Sequence, residues 1–546
     1  MIAKVDVDLI VQNATVVTAS DVLPKQDIAV RDGKILLLGQ NLTSLFSATE
    51  IIDAQGAFVT PGGVDSHVHL HQDNSPTGDN FETGSRSAIA GGTTTVLAFA
   101  SQNRKDESLY PVVDEYHNRA RHQSYCDYGF HLILTNPTKK IVDDELPVLV
   151  ADGISSVKIY MTYEPLKLRD REILDIMMST RALGMTTMVH AENSDMISWI
   201  TDRLAEQHLT APYYHAISRP SIAEDEATYR IIALSELIDI PILIVHMSSR
   251  TAAAHVRQAQ TRLLPIHAET CPHYLYLTSD ALKSHDESDP FEGAKHICSP
   301  PLRADRMDLD AMWAGLVNGT FTTFSSDHAP SKYDHPCGKK LGLSPTDGSM
   351  HYAKVPNGLP GLETRLPTLF EGGVLTGRVS PQKFVELTAA NPAKLYGLGD
   401  RKGAIAPGFD ADLVVWYPTP EQIPSGSAMG GAGTAASADP SSSSSSSSSV
   451  SCEPFALTNA MLHHDIDYTP FEGMRFSNWP RYTILRGKVV WDRDGGGVVG
   501  DKGFGAFLKR GRSTLSKPRD AWVNEFRPGG KVRVAMEGGR TAPALD

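Results

Sequence analysis

The sequence predicts an α/β protein built as a (β/α)8 barrel of the TIM type, joined to a smaller β-sandwich domain to which both terminal regions contribute strands. Three observations carry this expectation. Between residues 60 and 400, eight short apolar segments alternate with stretches of helical periodicity. β-branched alternation appears near the N-terminus and again near the C-terminus, in neither place long enough to build a core alone. Several of the central strands also end in polar side chains, as the mouth of such a barrel requires.

Taken in order, residues 1–60 hold "DLIVQNATVVTA" and "DIAVRDGKILLLG", with Asp32-Gly33 as a hairpin turn between strands of the first part of the sandwich. Residues 61–400 carry the barrel strands "VDSHVHL", "TTTVLAFA", "YGFHLIL", "SSVKIYM", "TTMVHAE", "PILIVHM", "LLPIHAE" and "FTTFSSDH", with helices such as Glu224 to Leu237 between them. A doubly wound open sheet is the alternative, but no GxGxxG or P-loop follows the first of these strands. Residues 401–500 return to the sandwich through "DADLVVWYP" and "YTILRGKVVWD". They are interrupted at 425–451 by a Ser-rich insertion, with nine consecutive serines from Ser441 to Ser449, whose composition predicts disorder. Residues 501–546 form a tail; from 503 on it has nine Lys or Arg against four Asp or Glu, net +5, which suits a clasp on an acidic surface of its own or a neighbouring subunit.

The chain has 546 residues and a formal net charge of -13, which disfavours nucleic acid, since phosphate backbones are held by Lys and Arg. The five cysteines, Cys126, Cys271, Cys298, Cys337 and Cys452, lack CxxC spacing and read as reduced thiols. The N-terminus has no signal-peptide pattern, and apolar runs such as "IPILIVHM" are too short to span a bilayer, so a soluble, cytoplasmic protein without membrane contact is expected.

In "VDSHVHLHQD", His67, His69 and His71 recur at every second residue and leave one face of a strand. Four imidazoles, His67, His69, His190 and His246, and the Asp327 carboxylate fall at strand ends that would meet at one mouth. The set exceeds what one tetrahedral catalytic ion needs and implies two borderline divalent ions such as zinc. Such a pair needs a bridging anion, and the fourth strand offers only Lys158. Its neutral amine, favoured by burial, would react with carbon dioxide to give a bridging carbamate; the alternative is a lysine that snorkels into solvent.

The motifs "GGVDSHVHL", "SVKIYMTY", "MVHAEN", "IVHMSS", "AETCPHYL", "CSPPLR", "SSDHAP", "PNGLPG", "NPAKLYGL" and "YTPFEGM" resemble, in order and spacing, the dihydropyrimidinase and D-hydantoinase family of cyclic amidohydrolases. The similarity runs from about residue 8 to 500, and the ending with "KRGRS" and "WVNEFRP" resembles the fungal dihydropyrimidinases in particular. The resemblance implies two Zn2+ per subunit, bridged by carboxylated Lys158 and a hydroxide. His67, His69 and Asp327 match the ligands of the more buried ion, and His190 and His246 those of the other. Tyr163 matches the tyrosine that binds the substrate carbonyl, and Ser299 and Asn357 match positions whose backbone groups read the ring's amide edge. The implied activity is reversible hydrolytic ring opening of 5,6-dihydropyrimidines, with Asp327 shuttling the proton and Tyr163 donating to the oxyanion. The implied assembly is a homotetramer, a dimer of dimers.

Dihydroorotase and allantoinase relatives place an Arg two residues after the second metal histidine. Here that position is His71, which offers a carboxylate-bearing substrate no fixed cation and is expected at the pocket wall or surface, without metal. A hydantoinase-like preference for five-membered cyclic imides is the competing activity. A mononuclear deaminase would not need Lys158 or Tyr163, and a non-catalytic scaffold would not keep every metal position.

Overall fold

In the computed structural model, residues 4–419 and 451–519 are described. The serine-rich insertion, apart from Ser451, and the tail beyond residue 519 lie outside them.

Five strands precede the barrel: β1 (Val5–Val17), β2 (Val22–Arg31), β3 (Lys34–Gly39), β4 (Phe46–Asp53) and β5 (Phe58–Pro61). The expected hairpin joins β2 to β3: Asp32 and Gly33 have φ of 53° and 73°, the left-handed pair that a two-residue turn between twisted strands needs. The barrel strands are β6 (Gly63–Val68), β7 (Thr93–Ser101), β8 (Asp127–Ile133), β9 (Ser156–Tyr160), β10 (Thr186–His190), β11 (Ile242–Ile244), β12 (Ile266–Thr270) and β13 (Thr323–Phe324). Then follow β14 (Leu413–Trp416), β15 (Phe455–Ala456), β16 (Arg475–Phe476), β17 (Pro480–Leu485), β18 (Lys488–Asp492) and β19 (Gly497–Val498).

β6 to β13 form one eight-stranded parallel sheet in chain order, and a parallel bridge between Val68 at the end of β6 and His328, four residues past β13, links its two edges. β7 and β8 are buried along nearly their whole length because helices cover one side and the barrel interior the other. Alternation sorts their side chains: Val96, Ala98 and Leu132 join the layer packed under the helices. Leu97, Phe99 and Ile133 pack with Met188 and Leu243 in a second core. Each fully buried Val, Leu or Phe contributes roughly 1.5–3 kcal/mol. The expected helix at Glu224 to Leu237 is Ser221–Ile238.

The second sheet runs β19-β18-β17-β14-β5-β1-β2-β3, with β4 also paired to β1, so strands from both ends of the chain share it. It encloses its own core, including Val11, Val16, Ile28, Val59, Leu413 and Ile484. Its β14 meets the barrel through Trp416, stacked on Phe370 with ring centroids 3.9 Å apart.

Residues 504–514 return to the N-terminal ends of the barrel strands of the same chain. Tyr128 donates to the Ala506 carbonyl at 3.0 Å, Leu508 donates to Tyr128 at 2.7 Å, and Arg510 donates to Gly153 at 3.0 Å. The five cysteines are free. No helix among the described residues is long and apolar enough to cross a membrane.

Candidate active site

His67 lies in β6 and His69 just past its end, His190 is the last residue of β10, and His246 and Asp327 follow β11 and β13. These five line one cavity of about 420 Å3 at the C-terminal mouth of the barrel, together with Tyr163, Ser299 and Asn357. The ligand atoms of His67, His69 and Asp327 lie within 4.8 Å of one another. Asp327 Oδ1 is 3.0 Å from His67 Nε2 and 3.6 Å from His69 Nε2. The His190 and His246 rings meet edge to face with centroids 4.5 Å apart, and the His246 and His67 centroids are 5.3 Å apart.

One ring nitrogen of His67, of His69 and of His190 is tied down. His67 Nδ1 bonds the Glu269 carboxylate, His69 Nδ1 donates to Gln72 Oε1 at 3.0 Å, and His190 Nε2 donates to Glu192 Oε2 at 2.7 Å. Each bond fixes a tautomer and leaves the opposite nitrogen as the free lone pair, the usual support of a metal-binding histidine. Sequence reasoning passed over these supports. Glu192 stands two residues after His190 in the quoted "HAEN" and Gln72 three after His69, so spacing offered a signal for both. Glu269 is 202 residues from its partner, and only folding joins them.

Electrostatics favour neutral imidazoles at His69, His190 and His246 and a charged carboxylate at Asp327. Burial and the His67 ring drive His69 down to about 3, burial and His190 hold His246 well below its ordinary value, and burial lowers His190. For His67, burial and Lys158 push down, but the carboxylates of Asp327 and Glu269 outweigh them and the net shift is upward. Against burial, the imidazoles of His67, His246 and His69 keep Asp327 well below the usual carboxylate range.

Lys158 is central in β9 rather than at its end, and it is fully buried, so the snorkelling alternative is excluded. Its Nζ is 3.3 Å from His67 Nε2 and lies over the rings of Phe99 and Tyr160. Among the described residues no carboxylate pairs with it, and burial lowers it to about 8, where a reactive neutral amine is accessible.

Asn357 Nδ2 donates to Tyr163 Oη at 3.2 Å, which uses an oxygen lone pair and leaves the phenol hydrogen for another acceptor. Arg219 lies 5.1 Å from the Tyr163 ring centroid and donates to Glu192 Oε2 at 2.7 Å, so one guanidinium supports both the tyrosine and the carboxylate behind His190. His71, Tyr163, His246 and Asp327 have φ of 52°, 67°, 37° and 46°, and non-glycine residues in that left-handed region concentrate where surrounding structure imposes a geometry. His71 lies outside the ligand cluster: it is exposed at the mouth, its backbone N–H bonded to the Asp79 carbonyl at 2.8 Å and its carbonyl accepting from Arg119.

A family model described as "Amidohydrolase family" matches residues 58–490. The chain is 37% identical over 506 residues to a D-hydantoinase of Ralstonia pickettii, covering 92% of this chain and 99% of the relative. It is 36% identical over 507 residues to a D-hydantoinase of Geobacillus stearothermophilus, covering 92% and 96%. The crystal structure of a dihydropyrimidinase from Brevibacillus agri superposes with a TM-score of 0.80 at 34% identity, covering 92% of this chain and 98% of that one. The chain belongs to the amidohydrolase family, in its hydantoinase and dihydropyrimidinase branch. In this amidohydrolase the donor set fits a pair of divalent cations: four imidazoles, three of them with a fixed outer nitrogen, a carboxylate ionised against its burial, and a buried amine without a counter-ion among the described residues.

Proposed function

We propose that this amidohydrolase opens six-membered 5,6-dihydropyrimidine rings, dihydrouracil and dihydrothymine, to N-carbamoyl-β-amino acids in pyrimidine breakdown in the cytoplasm. Two zinc ions would be held by His67, His69, His190, His246, Asp327 and a carboxylated Lys158. The supporting observation is the buried Lys158 amine beside His67, with no carboxylate partner among the described residues. Such a nitrogen adds to carbon dioxide with loss of one proton, and the carbamate formed replaces an uncompensated buried charge with two ligand oxygens.

When bound, the ions supply a water-derived nucleophile at neutral pH and polarise the amide carbonyl. The protein's part follows from its own geometry. Tyr163 Oη, oriented by Asn357, donates to the carbonyl oxygen as charge grows there. Backbone groups of Ser299 and Asn357 read the imide edge. Asp327 takes the proton of the attacking water and returns it to the ring nitrogen as the C–N bond breaks. One water is consumed, the carbonyl carbon becomes a carboxylic acid, and the nitrogen becomes the terminal NH2 of the carbamoyl group. At the mouth, His71 is lowered by burial and by Arg119, so it is neutral near pH 7 and offers a carboxylate substituent no cation.

A preference for five-membered hydantoin rings is the second reading, favoured by relatives named D-hydantoinase and by the imide edge common to both rings. Zinc-loaded protein given dihydrouracil, hydantoin, allantoin and dihydroorotate separates the readings. We expect turnover in the order dihydrouracil, hydantoin, then little of the others; a preference for dihydroorotate would overturn the His71 argument. A homotetramer is proposed as the assembly, supported by the exposed large apolar side chains Trp199, Ile222, Tyr229 and Met307 on three of the helices outside the barrel. Sedimentation of the full protein and of a truncation before Phe504 tests it and any part the tail plays in assembly.

A further inference from the structure

Lys339 has no part in the chemistry above, yet it is fully buried and makes no ion pair among the described residues. Its three N–H donors are matched to three main-chain carbonyls: Ile297 at 2.9 Å, Pro356 at 2.7 Å and Gly358 at 2.7 Å. Two of these acceptors flank Asn357, and the third lies two residues before Ser299. The same two segments are joined directly by only one backbone bond, Gly358 N–H to the Ile297 carbonyl at 3.0 Å.

We infer that Lys339 is the positioning residue for substrate binding: its ammonium clamps the segment ending at Ser299 to the turn around Asn357, and so sets the edge against which the ring imide is read. The inference rests on the reading above that these two segments bind the imide.

An ammonium suits this task because it alone among side chains offers three tetrahedral donors at one atom, and charge strengthens each bond. Burial draws Lys339 down to about 7, and its titratable neighbours do not supply a counter-charge. Burial pushes the Cys298 thiol up to about 12, while the His215 and His296 imidazoles are held down to about 3 and about 4, so all three are neutral near pH 7. A neutral amine has two N–H groups for three carbonyls, so loss of its proton frees one acceptor beside the site and loosens the clamp.

The test is steady-state kinetics on zinc-loaded wild type, Lys339→Met and Lys339→Gln with dihydrouracil, from about pH 6 to 9, with metal content measured in each. For Lys339→Met we expect KM to rise about tenfold with kcat within about threefold and metal unchanged, because the loss falls on placement of the ring and not on the reacting atoms. Lys339→Gln, which keeps two donors, should fall between. Wild-type KM should climb on the alkaline side, and that limb should vanish in Lys339→Met. An unchanged KM, or a fall in kcat alone, overturns the inference. If wild type opens no cyclic imide, the proposed function fails by itself. The clamp is then judged by hydrogen exchange: faster exchange in segments 297–299 and 356–358 of Lys339→Met upholds it, and unchanged exchange sinks it. Should neither variant fold, the wild-type pH profile decides.

Discussion

Lys158, beneath the mouth of the barrel, and Lys402, at its floor, are 0% and 2% exposed, yet the chain surrounds them in opposite ways. Lys402 Nζ lies 2.7 Å from Asp127, 2.7 Å from Asp412 and 3.1 Å from Asp410, where β8 begins beside β14. Burial alone would lower it, but the three carboxylates reverse the sign and raise it. Lys158 receives no such compensation, and burial draws it down to about 8 against the opposing charges of Asp327 and Glu269, neither of which pairs with it. One end of the barrel therefore matches its buried charge to hold two sheets together, and the other leaves an amine unmatched so that it can react.

Substituting each lysine is the sharpest way to break this contrast. Lys158→Ala should lose activity on the order of 10³-fold, roughly 4 kcal/mol of barrier, together with its metal, and short carboxylic acids should restore part of it. With both proteins stripped of metal, its melting temperature should equal or exceed that of wild type, since an uncompensated amine is removed. Elemental analysis and mass spectrometry of wild type at position 158 accompany the assay: one ion per chain, or an unmodified lysine in the active form, ends the binuclear reading. Lys402→Met should do the reverse, costing about 3–5 kcal/mol of stability in urea titration because three buried carboxylates lose the cation they share, while kcat stays near wild type. Equal losses of activity in both variants would erase the distinction between the two ends.

A smaller effect sharpens the view of the mouth. Glu269→Gln removes the anion behind His67 but keeps an acceptor, and should weaken metal binding about 10–100-fold by competition with a chelator. The smallest concerns pH. Against burial, Lys402, Lys34 and Arg401 hold Asp410 down to about 2, below its ordinary value of 3.8. Its folded pKa is depressed, so its stabilisation is present above the ordinary value and is lost as pH falls through the window toward 2. The gap in urea midpoint between wild type and Asp410→Asn should therefore be constant near neutrality and close across that acidic window.

Much of the barrel was legible because its signals are local. Eight apolar runs became eight parallel strands, and the Asp32-Gly33 pair became a left-handed turn. His67, His69, His190, His246 and Asp327 were legible as polar interruptions at strand ends. Lys158 was legible only as a residue type in an apolar strand. Its burial follows from the inward face of β9, which spacing alone left open between interior and solvent. Lys339 was not legible at all: it sits in a short helical turn among polar residues, where a lysine reads as surface, and its three acceptors are main-chain carbonyls that carry no residue signature.

By itself, the chain's order of residues determined the strands, their number and the chemical types available at their ends, because hydrophobic alternation and turn preference act over a few neighbours. Only the tertiary structure decided which carboxylate orients which imidazole, which buried lysine is neutralised and which is left bare. Those outcomes depend on desolvation and on partners hundreds of positions away, and a buried charge takes its properties from whatever the fold places within a few ångströms of it.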